Sequence, residues 1–262
     1  MCYSPNDLPP NPPGTPGQAH GEALTLTSAD GTPFSAYFAH PANPAPNSPC
    51  VIICPDVRGL HNFYTELANR FAEQGIHALG IDYFGRTAGL TSRDESFEYM
   101  PHVHQVQFQN LLADIQAAVA YLQSHAAAAS ETAPSLFTVG FCFGGSVSLL
   151  ASTQDVLPLR GAVSFYGGLS RHFADTAAPV LDLTVDARVP VLGLYGGADQ
   201  SMPATMTDRL DANLSTAGVP HEIIVYPGAP HSFFDRKSSE FAEASTDAWN
   251  RTLAFISKYS QS

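Results

Sequence analysis

The fold is decided by the stretch Leu136-Phe137-Thr138-Val139-Gly140-Phe141-Cys142-Phe143-Gly144-Gly145-Ser146-Val147-Ser148-Leu149-Leu150. Its first four residues form a short apolar run, which is typical of a parallel strand buried on both faces. Apolar residues return from Val147 onward, at the length of a helical turn. The chain must reverse between these two segments. We therefore predict a strand, a sharp turn and a helix, with Cys142 at the apex of the turn.

Glycines stand two residues before and two residues after Cys142. The backbone at such an apex is strained, so Gly140 and Gly144 must lack bulk, and Gly145 lets the helix begin close to the strand. This pattern predicts the nucleophile elbow of the α/β-hydrolase fold, with cysteine in the place of serine. The sulfur would lie above the sheet edge at a helix N-terminus, whose partial positive charge favours a thiolate. The alternative is a buried structural cysteine beside a glycine turn.

The rest of the chain alternates apolar strand patterns with helical stripes. Residues 23–28 and 34–39 flank Asp30-Gly31, a signal for a tight hairpin, so an antiparallel edge pair is expected to open the sheet. A helix is predicted from Asn62, a plausible N-cap, to Gly75. Alternation of this kind predicts an α/β-hydrolase fold with a mostly parallel, doubly wound sheet. The further strands are expected at residues 51–54, 76–81, 161–166, 189–195 and 222–226.

Composition predicts one α/β domain over residues 21–262, preceded by a proline-rich arm at residues 1–20. No apolar run approaches the roughly 20 residues of a membrane helix, and no secretory signal is visible at the start, so we expect a soluble, cytoplasmic protein. The net charge of −12 makes nucleic acid a poor partner. Cys50 and Cys54 have no second pair to complete a zinc site and are expected to pack in the core.

A nucleophilic cysteine needs a base, and the base needs an orienting acid. In the α/β-hydrolase order the acid follows the nucleophile and the histidine comes last. Asp199 comes just after a predicted strand, and His231 lies in the loop after the final predicted strand. A helix cap and an ordinary loop histidine are the alternatives for these two residues. Their order and placement instead predict a Cys142–His231–Asp199 triad, with the backbone N–H groups of Phe143 and Val57 as the oxyanion donors.

With these motifs in place, the chain resembles the dienelactone hydrolase family from about Ala23 to the C-terminus. The resemblance rests on Gly140-Phe-Cys-Phe-Gly-Gly145, Asp82-Tyr-Phe-Gly-Arg86, Gly196-Gly-Ala-Asp-Gln-Ser-Met-Pro203 and Gly228-Ala-Pro-His-Ser-Phe-Phe234. It implies the same catalytic trio and the same oxyanion donors, and it implies that Arg86 binds a carboxylate of the substrate. No cofactor or metal is implied.

The chain departs from the family pattern at two places. The family glutamate that is thought to help ionise the thiol corresponds to Asp56, which is one methylene shorter. The second carboxylate-binding arginine has no clear match, because Asp235 occupies its place and Arg236 follows one residue later. For Arg58 and Arg236 a substrate role and a solvated surface role both remain open.

Three functions compete at this stage. The leading one is a cofactor-free hydrolase of lactones or small carboxylic esters, acting through an acyl-enzyme on Cys142. The second is a carboxylesterase or thioesterase acting on other small substrates inside the cell. The third, from a different class, is a catalytically silent protein that binds a small carboxylate, and the intact trio of catalytic residue types argues against it.

Overall fold

The computed structural model describes residues 8–127 and 133–260 as one eight-stranded sheet flanked by helices. Cys2 and the start of the predicted arm lie outside the described residues. The strands are β1 Ala19–Thr27, β2 Pro33–Pro41, β3 Cys50–Cys54, β4 His77–Ile81, β5 Leu136–Phe141, β6 Leu159–Phe165, β7 Val191–Gly196 and β8 His221–Tyr226. The helices are α1 Asn62–Glu73, α2 Gly85–Ala88, α3 Met100–Val103, α4 Phe108–Ala127, α5 Phe143–Ala151, α6 Val180–Leu183, α7 Ala204–Ala217 and α8 Ala242–Ser260.

The sheet order is β1-β2-β4-β3-β5-β6-β7-β8. β1 pairs with β2 and β2 with β4 in antiparallel register, and every other pair is parallel. The predicted fold class and the antiparallel edge hairpin are therefore confirmed. Because the carboxyl ends of the parallel strands share one edge, the loops after β3, β5, β6, β7 and β8 meet there.

Two apolar cores lie on opposite faces of the sheet, as side-chain alternation along a strand requires. In β3, Ile52 joins the core formed with α4, α5 and α7, whereas Val51 and Ile53 join the core formed with α1 and α8. Cys50 and Cys54 are buried in the first core, and burial raises the pKa of each thiol to about 12. These two cysteines pack as expected from the sequence.

The start of the described chain is held against two helices. The indole N–H of Trp249 in α8 donates to the carbonyl of Pro10 at 2.8 Å, and the Gly17 N–H donates to the carbonyl of Glu73 at the end of α1 at 2.9 Å. β1 begins at Ala19, about four residues before the first hairpin strand expected from the sequence. The division of the chain into an arm and a single domain stays a prediction.

Helix α1 begins differently from the sequence expectation. His61, not Asn62, is the N-cap, and its Nδ1 accepts the N–H of Phe63 at 3.3 Å. Asparagine is the better cap by residue type, so the position of the cap depends on where the preceding loop leaves β3. Among residues 8–127 and 133–260, no helix combines the length and apolar character that a membrane crossing requires.

Candidate active site

Cys142 lies at the turn between β5 and α5, where the sequence predicts the elbow. Its backbone has φ 54° and ψ −110°, a conformation that costs a non-glycine residue about 1–3 kcal/mol. Its N–H donates to the carbonyl of Phe165 in β6 at 3.0 Å, and its carbonyl accepts the N–H of Ser146 in the first turn of α5. The residue is partly exposed and lies at the N-terminus of helix α5.

The glycines around Cys142 are required by close backbone contacts. A Cβ atom on Gly140 would lie 1.9 Å from the carbonyl oxygen of Gly144, and a Cβ on Gly144 would lie 1.9 Å from that of Cys54. Neither distance is possible for real atoms, so α5 can start against the ends of β5 and β3 only with glycine at these positions. This contact brings the turn that carries Cys142 next to the loop after β3.

His231 and Asp199 are hydrogen-bonded at the same edge of the sheet. The distance from His231 Nδ1 to Asp199 Oδ2 is 2.6 Å, and Asp199 Oδ1 accepts the N–H and the hydroxyl of Ser201 at 2.9 and 2.6 Å. Burial opposes ionisation of Asp199, but the hydrogen bonds from His231 and Ser201 outweigh it and lower the carboxyl pKa. The acid is therefore ionised at neutral pH and fixes the orientation of the imidazole.

Two further contacts hold the loops that carry this pair. The Gly197 N–H donates to the carbonyl of Tyr226 at 2.8 Å, and the Ala198 N–H donates to that of Ala229 at 2.9 Å. These bonds tie the loop after β7 to the loop after β8. The acid–base pair therefore rests on backbone hydrogen bonds between two neighbouring strand ends, which keeps its geometry rigid.

Tyr166, which follows β6, contacts His231 and one of two buried carboxyl groups. Its ring centroid lies 4.9 Å from that of His231, and its hydroxyl donates to Asp235 Oδ2 at 3.1 Å. Burial, then the charges of Asp235, Cys142 and Asp56, raise the tyrosine pKa, so the phenol stays protonated. Its position at the end of a predicted strand is the only signal in the sequence, because no motif marks a tyrosine there.

Asp235 and Asp56 are both almost completely buried, at 2% and 1% exposure. Burial first, and the negative charge of Asp56 second, raise the pKa of Asp235 to about 8. Asp56 Oδ1 accepts the N–H of Arg58 at 2.8 Å, whereas its Oδ2 has no hydrogen-bond partner among the described residues. The site therefore contains two buried carboxyl groups, and burial together with the charge of Asp56 favours the protonated form of Asp235.

The candidate oxyanion donors lie where α5 meets the loop after β3. Phe143 is the first residue of α5, and Val57 follows Asp56 in that loop. Gly144 allows α5 to pack closely against Cys54 and Pro55, because a Cβ atom at this position would also lie 2.4 Å from the Pro55 carbonyl oxygen. This close packing brings the two segments together. A substrate oxygen between two such N–H groups would be stabilised as it becomes an anion. The pairing of Phe143 with Val57 stays a prediction.

The sequence also matches a known protein family over most of its length. The family model described as "Dienelactone hydrolase family" matches residues 34–260. The chain belongs to the dienelactone hydrolase family.

Relatives and solved structures agree with this assignment. A protein named "putative carboxymethylenebutenolidase" from Methylorubrum extorquens is 30% identical over 86% of this chain and 76% of its own length. A protein of the same name from Yersinia pestis is 30% identical over 92% of this chain and 91% of its own length. The crystal structure of a "putative dienelactone hydrolase" from Klebsiella pneumoniae subsp. pneumoniae MGH 78578 superposes with a TM-score of 0.79, at 27% identity, over 93% of this chain and 100% of that one. Membership of the family makes the chain a hydrolase of ester bonds, including lactones.

Arg86, the family's carboxylate-binding position, is engaged elsewhere in this structure. Its Nε donates to Asp30 at 2.9 Å, its Nη1 to Asp114 at 2.7 Å and its Nη2 to Ser28 at 2.9 Å. Every guanidinium nitrogen therefore has a protein acceptor, and the Asp114 side chain is only 1% exposed. This geometry favours a structural role for Arg86 over the substrate role that the resemblance implies.

The surroundings of Arg58 and Arg236, the other two predicted arginines, also differ from those expected of a carboxylate-binding residue. Arg58 is 3% exposed, its Nη2 donates to the carbonyl of Asp94 at 3.2 Å, and it lines a cavity of about 580 Å³ beside His61 that includes no triad residue. The Arg236 side chain is exposed, and its backbone N–H donates to Asp235. A substrate role for either residue stays a prediction.

Arg171, in the loop after β6, was not singled out from the sequence. Its guanidinium carbon lies 4.7 Å from the ring centroid of Phe143, the residue after Cys142. Burial lowers its pKa, and the negative charge of Cys142 raises it, which places the guanidinium within electrostatic reach of the sulfur. The sequence gives no motif around Arg171, only its position shortly after a strand that ends at the active edge.

Proposed function

We propose that this member of the family hydrolyses lactones or small carboxylic esters without a cofactor, through a Cys142–His231–Asp199 triad. The observation that carries the proposal is the 2.6 Å hydrogen bond between His231 Nδ1 and the ionised Asp199, beside an elbow cysteine. This bond leaves His231 Nε2 available to accept a proton. Family membership indicates the type of bond that is hydrolysed, and the site residues support the proposed mechanism.

The reaction has two halves. Cys142 Sγ attacks the carbonyl carbon as a thiolate while His231 holds the proton, and the carbonyl oxygen becomes an anion between the N–H groups of Phe143 and Val57. The tetrahedral intermediate collapses, the C–O bond breaks, and His231 returns the proton to the leaving alkoxide. For a lactone, that alcohol stays attached to the acyl group. A water molecule then gives its proton to His231, attacks the thioester and releases the acid and the thiol.

Asp56 is the proposed partner of the thiol in the resting enzyme, in the place of the family glutamate. Its buried Oδ2 has no other hydrogen-bond acceptor role among the described residues, so it could take the thiol hydrogen bond. An aspartate is about 1.5 Å shorter than a glutamate in reach, which makes this contact weaker or water-bridged. The imidazole and the helix N-terminus then govern thiolate formation more directly.

The test is a substrate panel with a nucleophile control. Purified protein is assayed on a five-membered lactone, a p-nitrophenyl ester and an acyl thioester, in parallel with Cys142→Ala. We expect turnover of the lactone or the oxygen ester, no loss on prolonged EDTA treatment, and no turnover by the alanine variant. A preference for thioesters would support the alternative thioesterase function. Tight binding of small carboxylates with no turnover of any substrate would support the silent binding protein instead.

A further inference from the structure

Arg171 is an unpaired cation beside the nucleophile. No ion pair in the described part of the chain includes it, and its Nε, although inaccessible to solvent, has no hydrogen-bond partner there. The residue as a whole is half-buried, and an N–H donor that is shielded from solvent without an acceptor is unfavourable. Its ring contact with Phe143 contributes only a weak cation–π attraction. A ligand anion would satisfy the donors that the protein leaves open.

The loop that carries Arg171 is held rigidly. The Arg171 carbonyl accepts the N–H of Val180 at 2.8 Å, and the Leu169 carbonyl accepts that of Leu181 at 3.0 Å. Farther along the loop, Asp175 accepts the N–H groups of Phe108 and Gln109 at the start of α4, at 2.7 and 2.8 Å. The backbone that carries Arg171 therefore needs little further ordering when a ligand binds.

The two positions that bind a carboxylate in the family pattern cannot do so here in the same way. All nitrogens of Arg86 already donate to protein oxygens, and the second position is the buried acid Asp235. A negative charge on the substrate would therefore need a cation at a different position. Arg171 is the cation that contacts Phe143 and senses the charge of Cys142.

We propose that Arg171 is the residue that binds a carboxylate of the substrate, and that it makes this enzyme selective for esters and lactones with a negative charge close to the scissile carbonyl. This inference rests on the proposed hydrolase function and adds to it the substrate class and the residue that selects it. Charged, paired hydrogen bonds between guanidinium and carboxylate are among the strongest and most directional available in proteins.

The test compares two esters of the same shape and different charge. Mono-p-nitrophenyl succinate carries a carboxylate on its acyl side, and p-nitrophenyl 4-oxopentanoate carries a methyl ketone in its place. For Arg171→Gln we expect kcat/KM on the anionic ester to fall by about 10–100-fold, from the loss of one charged hydrogen-bonded pair, and to change by less than about 3-fold on the neutral ester. Arg171→Lys should recover part of the loss.

Controls separate this result from a general defect. Arg160→Gln removes the same charge from an exposed residue at the opposite end of β6 and should leave both substrates unchanged. Arg171→Met keeps the apolar contact with Phe143 and should reproduce the loss on the anionic ester, while thermal melting reports whether each variant is folded.

Two outcomes would overturn the inference. Equal losses on both esters, with a shifted pH profile for alkylation of Cys142 by iodoacetamide, would mean that Arg171 stabilises the thiolate and does not select the substrate. Unchanged kinetics on both esters would mean that it only packs on Phe143. A wild-type enzyme that hydrolyses neither these esters nor any member of the wider panel would instead contradict the proposed function itself.

Discussion

Replacing Asp199 with asparagine is the most informative change in the acid–base pair. The variant keeps the size of the side chain but loses its charge and one of its acceptor oxygens. Two donors from Ser201 converge on Oδ1, so the amide oxygen would take that place and the amide nitrogen would face His231 Nδ1. The imidazole would then carry its proton on Nε2, the atom that accepts the proton of Cys142 in the proposed mechanism.

The size of the effect follows from these contacts. Loss of a hydrogen bond between charged groups costs about 1.5–3 kcal/mol, which alone lowers the rate about 10–150-fold. The wrong tautomer adds a further loss, because the base is blocked in most molecules, and the same change in a serine triad costs about 10⁴-fold in kcat. We expect kcat of Asp199→Asn to fall roughly 10³–10⁴-fold, with KM changed little.

Steady-state kinetics on a neutral p-nitrophenyl ester between pH 6 and 9 measure this loss. Ser201→Ala is the matched control, because it removes the hydroxyl bond at 2.6 Å and leaves the backbone N–H bond to the same oxygen. It should lower kcat far less than Asp199→Asn does, because the charged carboxylate and its bond to His231 both remain. An Asp199→Asn enzyme that stays folded and within about 10-fold of wild type across this pH range would refute the role given to Asp199.

Three further predictions concern stability and selectivity. Asp235→Asn should flatten the pH dependence of the unfolding free energy. The native pKa of about 8 lies above the ordinary 3.8, so the stability that the carboxyl contributes is complete below about pH 4 and is lost as pH rises through about 8, by up to about 1.4 kcal/mol per pH unit. Urea titrations at pH 5 and 8 measure this loss and would show none if the carboxyl is ionised throughout. Gly140→Ala should destabilise the fold by roughly 1–3 kcal/mol or more and abolish turnover, because its methyl group would lie 1.9 Å from the Gly144 carbonyl oxygen. Gly168→Ala should lower the unfolding temperature less, because its methyl group would meet the Ser146 hydroxyl at 3.3 Å, a contact that a small shift of that side chain relieves. Arg86→Gln should lower the unfolding free energy by about 3 kcal/mol, since Asp114 is left buried without its partner, and should not alter the ratio of anionic to neutral ester turnover; a selective loss on the anionic ester would return Arg86 to the substrate site.

The elbow and the sheet could be predicted because their determinants are local. Gly140 and Gly144 lie within two residues of Cys142, and the strand before and the helix after are visible in the same short stretch. The hairpin was equally visible, because Asp30-Gly31 marks its turn. In each of these cases the backbone conformation depends on residues that are neighbours in the sequence.

The polar partners around the site could not be predicted in the same way. Arg86 is paired with Asp30 and Asp114, which are 56 and 28 positions away in the sequence, and no periodicity connects them. The acidic pair likewise forms between the loop after β3 and the loop after β8, so neither carboxyl reveals the other. A family motif indicates which residue type to expect at a position, but the partners that compete for it depend on the packing of this particular chain.

The same reasoning explains why Arg171 was missed. Its interest comes from what surrounds it, namely a buried Nε without a partner and a contact with Phe143. Both are properties of the folded loop after β6. A sequence pattern could have indicated only that the residue follows a strand whose carboxyl end lies at the active edge.

The central claim is that Cys142 forms a covalent acyl-enzyme, and mass spectrometry of the quenched reaction tests it most directly. Wild-type protein is mixed with excess p-nitrophenyl acetate, stopped with acid during turnover and digested, with Cys142→Ala treated in parallel. We expect an acetyl thioester on the peptide that contains Cys142, released by hydroxylamine, and neither adduct nor turnover in the alanine variant. Undiminished turnover by Cys142→Ala, or an acyl group on another residue that forms and decays at the rate of turnover, would contradict the claim.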